Sequence, residues 1–140
     1  MIVKNTATIV ICDDIRQETN GKHILIGVYG GNILVPEANF SLQLCMWIEF
    51  IATSCGTETM HIRVSYAKNV IVVMKAELEI NEIGPMAVAT PGVPVQGASE
   101  GDVVIEISSD GQNWKEIKRK SVRKGAVAGA PQLTIPPPAG

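Results

Sequence analysis

The chain has 140 residues and a mass of 15.0 kDa, with 46% hydrophobic and 19% charged residues and a formal net charge of −2. A chain of this length buries roughly two-thirds of the surface its unfolded form exposes, so it sustains one core without disulfide or metal staples. That excludes disorder throughout, and the longest apolar runs, such as Val70 to Met74, are far short of the ~18 residues that a membrane-spanning helix needs.

From Thr6 to Cys12 a run rich in β-branched residues extends towards Ile15, and His23 to Tyr29 is a second such run. Asn20-Gly21 between them tolerates the positive φ of a tight hairpin, which predicts antiparallel pairing of the first two strands. Gly30-Gly31-Asn32 leads into the short run Ile33 to Val35, stopped by Pro36. Phe40 to Ile51 then carries Phe40, Leu42, Leu44, Met46, Ile48 and Phe50 on one face, while Cys45, Trp47 and Ile51 lie on the other. This reads as a central strand covered on one face and on part of the second.

Met60, Ile62, Val64 and Tyr66 alternate with polar residues, and the even positions from Val70 to Ile80 are wholly apolar, with a reversal near Asn69. Asn81 to Gly101 contains Pro91 and Pro94, which have no N–H to give a ladder, and is expected to be an ordered loop or edge ribbon crossing between sheets. Val103, Ile105 and Ile107 mark the next strand, Asp110-Gly111 turns it, and a last strand runs from near Asn113-Trp114 towards Val122. The only helical window, Asp13 to Glu18, has Ile15 as its single apolar residue and so no stripe to bury. The expected fold is all-β: a two-sheet antiparallel β-sandwich of immunoglobulin-like kind with about eight strands, a partly open barrel being the alternative. The domain is expected over residues 1–124, and residues 125–140, uncharged and rich in Pro, Gly and Ala, as a flexible tail.

Little in the chain carries chemistry. Cys12, Cys45 and Cys55 form an odd set without zinc-type spacing, which reads as reduced thiols in a cytoplasmic protein. Ala7 to Cys12 is too short for a secretory apolar region, in keeping with that address. Asp13-Asp14, with Glu18 nearby, is the densest acidic cluster near the N-terminus, but adjacent strand residues point to opposite faces and do not chelate together. His23 and His61 belong to no ligand or triad pattern. No catalytic residue, cofactor or metal ligand is therefore assigned. Trp114 is expected to plug the core, since large aromatics dominate core energetics and the chain has few. Charge is uneven: Lys115, Lys118, Arg119, Lys120, Arg123 and Lys124 against Glu116 give the last strand +5, leaving −7 on the other residues.

The segment Cys12-Asp13-Asp14-Ile15-Arg16, followed by Gly21-Lys22 and then Gly27-Val28-Tyr29, resembles the N-terminal signature of a family of small bacterial proteins. The resemblance covers roughly residues 8–36 and implies a β-sandwich domain of unknown function, with no catalytic residues to carry over. It also gives physical sense to the alternating signs of Asp14, Arg16, Glu18 and Lys22, which would hold one hairpin in register.

The functional expectation is a non-enzymatic module that binds a protein partner or assembles with itself. Met86, Val88, Val93 and Val95, apolar residues in a stretch read as loop, are its candidate contacts. One alternative is anion or nucleic-acid binding through the six basic residues of the last strand, which as edge lysines would equally guard against aggregation. A metal-dependent hydrolase built on Asp13, Asp14 and one histidine is the other.

Overall fold

Every alternating run becomes a strand in the computed structural model, which describes residues 7–37, 39–97, 100–126 and 129–139. The strands are β1 Thr8–Gln17, β2 His23–Val28, β3 Ile33–Val35, β4 Phe40–Ala52, β5 Gly56–Tyr66, β6 Asn69–Ile80, β7 Gly84–Ala89, β8 Val93–Gly97, β9 Gly101–Ser108 and β10 Lys115–Lys124. The eight expected strands are all present, and the ribbon expected between residues 81 and 101 supplies the other two. One sheet runs β2-β1-β4, with β7 and β8 both on the far side of β4; the other runs β3-β10-β9-β5-β6. All pairings are antiparallel except β3 with β10.

β7 and β8 are one edge ribbon with a break at Thr90-Pro91-Gly92. β7 pairs with Trp47 to Ala52 of β4, and β8 with Phe40 to Leu44. Pro91 cannot donate to the ladder, and Thr90 bridges the gap: its N–H donates to the Met46 carbonyl (2.9 Å), and its Oγ1 accepts from the Met46 N–H (2.9 Å). The core between the sheets takes Ile9, Ile11, Leu44, Met46, Ile48 and Phe50 from one side and Met60, Ile62, Val64, Val103, Ile105 and Ile107 from the other. Each such side chain, fully buried, contributes about 1.5–3 kcal/mol relative to exposure.

The β1–β2 hairpin departs from a flat sheet. His23 pairs with Gln17 on β1, yet its ring stacks on Trp47 at 4.9 Å, and Trp47 lies opposite Val10. Extended strand from Val10 to Gln17 would span about 23 Å, so β1 must bend after Cys12 and carry the hairpin back over the outer face of its own sheet. Gly27 at φ +68° permits the bend: a Cβ there would strike the carboxylate of Asp13, which accepts from the Tyr29 hydroxyl at 2.6 Å. The returning hairpin covers Cys12 and Cys45, directly opposite each other and buried outside the main core. Residues 129–139 form no strand or helix and are exposed.

At the β5–β6 turn, Ala67 and Lys68 both have positive φ (49° and 68°), the geometry of a type I′ turn without its usual Asn-Gly. Each left-handed side chain costs about 1 kcal/mol. Lys68→Gly is expected to raise the unfolding free energy by up to about 1 kcal/mol in urea titration; no gain would contradict the strained-turn reading.

Candidate binding surfaces

The residues expected to meet a partner face inwards. Val93 and Val95 are 2% and 0% exposed, and Met86 and Val88 pack half-buried against the same core. The reason is alternation: β7 and β8 are strands, so Met86, Val88, Val93 and Val95 point to the core while Pro85 and Pro94 take outward positions. That alternation was legible in the sequence, hidden by prolines read as loop punctuation.

The basic strand also differs from expectation. β10 lies between β9 and β3, not at the sheet edge, because β3 pairs with Val122 to Lys124. Lys120 is 8% exposed, and its Nζ donates to the Gly31 carbonyl at 2.5 Å; burial, and then Lys118 nearby, push its ammonium below the usual lysine range. Arg119 is spent on Glu116 (2.6 Å) and Asp102 (2.9 Å). Lys115 also has a partner. Arg123 and Lys124 remain exposed to an anion, too few for the stripe that the composition suggested.

On the outer face of the β3-β10-β9-β5-β6 sheet lies an open groove of about 790 Å³. Arg63 on β5 and Glu106 on β9 are paired in register and form a two-pronged ion pair at 3.0 and 2.9 Å. Trp114 lies over the Arg63 guanidinium, 4.3 Å from ring centroid to Cζ, and meets His61 edge-on. The expected core plug is thus a half-buried lid on an ion pair. Asp102 accepts from Ser121 (2.8 Å) and Arg119, and these two bonds hold its carboxyl below the usual range. Sequence reading missed this face because cross-strand pairing brings Arg63 to Glu106, and only alternation within each strand was visible. Arg63, Glu106, Arg119, Asp102 and Glu116 are held in ion pairs, and with Lys68 and Glu100 the groove carries one net negative charge. Its geometry presents a firm, mixed-charge surface.

The acidic cluster and histidines do not converge. Asp13 accepts from Tyr29, whose phenol is pushed above its ordinary range by burial and then by that bond. Asp14 accepts from the Ile15 N–H (2.9 Å) and Arg16 Nε (3.0 Å). His23 lies against Trp47 on one sheet and His61 against Trp114 on the other. Among the described residues no group of three or more His, Cys, Asp or Glu is placed to hold a metal. Burial pushes the thiols of Cys12 and Cys45 up, away from reactivity, and Cys55 is exposed.

Exposed apolar side chains lie along two of the sheet borders. Two borders are guarded, β3 by its three-residue length and the β7–β8 ribbon by Pro85 and Pro94. The other two, β2 and β6, contain no proline and pair on one side only among the described residues. β2 exposes Ile24, Ile26 and Val28 (43%, 39% and 53%), and β6 exposes Val70, Ile71 and Val73.

Two expectations follow. Lys120→Met should leave retention on heparin unchanged, because the ammonium is turned to Gly31; a loss as large as that of Arg123→Ala would place Lys120 in solvent. Asp110 accepts from the N–H groups of Asn113 and Gln112 (both 2.8 Å), from Asn113 Nδ2 and from Ser108 Oγ, which hold its carboxyl well below the usual range. A carboxyl depressed in the folded state stabilises fully above its unfolded pKa, near ~4, and that contribution disappears as pH falls through the lower folded value. Asp110→Ala should therefore lower the melting temperature at pH 7, with the gap to the parent narrowing in strong acid; a constant gap across pH would refute the linkage. No protein-family model, curated protein or solved structure matches this chain.

Proposed function

We propose that this chain is a non-enzymatic binding module, a sandwich of immunoglobulin-like kind that joins other protein by adding strand to its open sheet borders. The observation that carries this reading is the contrast among the four borders: two are guarded by shortness or proline, while β2 and β6 are proline-free and carry exposed apolar side chains. Edge addition draws affinity from main-chain hydrogen bonds and specificity from alternate side chains. β2 suits a foreign extended segment, since Ile24, Ile26 and Val28 form one apolar row beside unpaired backbone. The ion pairs Arg63–Glu106 and Arg119 with Asp102 and Glu116 support a contact role for the outer groove, and the spent state of Arg119 and Lys120 weighs against an anion-binding one.

Ile26→Lys puts a charge in the middle of the β2 row without touching the core. A protein from the native host that is retained by the parent chain should be lost with this variant, and the β2 amides should slow their hydrogen exchange in the complex. Equal retention by both chains, or unchanged β2 exchange on binding, would refute the β2 assignment.

A further inference from the structure

β6 ends its sheet, and from Val72 to Ile80 its pairing with β5 is regular, the single register shift falling outside that stretch. Of the devices that keep an edge from pairing, its free side has the exposed charges Lys75, Glu77 and Glu79 and no other. No proline interrupts it, and its inward row, Val72, Met74, Ala76 and Leu78, is apolar throughout and only half-buried. Another strand laid alongside would take that row out of water.

The outward row identifies the strand. It reads Val73, Lys75, Glu77 and Glu79, and Lys75 and Glu77 reach each other along β6 at 3.7 Å while both remain exposed (58% and 70%). Two copies of one strand paired antiparallel are related by a two-fold axis normal to the sheet, which sets one residue opposite itself and keeps inward and outward rows apart. An axis at Lys75 opposes two lysines, one at Glu77 opposes two glutamates, and one at Leu78 sets Glu77 against Glu79. An axis at Met74 leaves Lys75 facing Val73. At Ala76, by contrast, each Lys75 faces Glu77 of the other copy, Met74 faces Leu78, Val72 faces Ile80, and the small Ala76 side chains meet on the axis, with Glu79 facing Val73 at the ends of the outward row.

We propose that two copies of this chain join through β6 in that register, so that the β3-β10-β9-β5-β6 sheet continues across a two-fold axis at Ala76. This rests on the edge-addition reading above and assigns the β6 border to a second copy. Opposite charges directly across a ladder stabilise it and like charges destabilise it, so the register makes a charge-exchange test decisive.

Sedimentation equilibrium of the full chain over a concentration series should give twice the 15.0 kDa mass. Lys75→Glu alone and Glu77→Lys alone each oppose like charges twice and should weaken the pair roughly tenfold or more. An equimolar mixture of the two variants restores both opposite-charge contacts and should recover the parent affinity. Thermal unfolding of each variant establishes that it is folded, both positions being exposed. A parent chain that stays at the single-chain mass overturns the inference, and so does a dimer that either variant leaves unchanged or that the mixture fails to restore. A single-chain parent that still captures a foreign protein through β2 overturns the β6 pairing alone and leaves the binding-module reading standing.

Discussion

The long strand β4 carries the first sheet by itself. Its 13 residues meet β1 along one side and β7 and β8 along the other, so most of the hydrogen-bond groups in its middle are satisfied by neighbouring strands. Leu44, Met46, Ile48, Phe50 and Ala52 alternate inwards and are buried. Its outward face would leave Cys45 and Trp47 in water were it not for the β1–β2 hairpin, which bends back over it and seats His23 on Trp47. The break at Pro91 is tolerable for the same reason: β4 is flanked by a ribbon whose gap Thr90 bridges by giving and taking one bond with Met46.

A single inserted residue decides what the other sheet shows to solvent. In β10, Glu116 pairs with Glu106 and Lys118 with Ile105, so Ile117 is the extra residue of a bulge. Before the bulge Trp114 and Glu116 lie on the outward face, and after it Lys118, Lys120 and Val122 lie on the inward one. Trp114 and Val122 share parity in the sequence and would share a face in an unbroken strand, which is why the tryptophan reads as core. The bulge instead places it over Arg63 and His61. The same shift turns Lys120 inwards to Gly31 and removes it from any surface stripe.

Border protection connects this architecture to the proposed association. A β-sandwich built from separate sheets leaves four outer strands, each a row of unpaired backbone groups. Prolines in the β7–β8 ribbon and the brevity of β3 blunt two of them. β2 and β6 are proline-free edges with apolar side chains exposed beside them, the combination on which the proposed strand addition rests.

The sequence by itself determined the class of fold, eight of the strands with most of their inward rows, and the absence of a ligand or triad spacing, because alternation and turn residues are local properties written within a few positions. Met60 to Tyr66, Val72 to Ile80 and Leu44 to Phe50 are legible in that way. Which strands neighbour one another, and therefore that Arg63 meets Glu106, that β10 is flanked by β3 and that β6 is a border, was decided by tertiary structure. So were the β10 bulge and the fold-back after Cys12. Pairing and register depend on contacts between residues far apart in the chain, and a one-residue slip reverses every side chain that follows it.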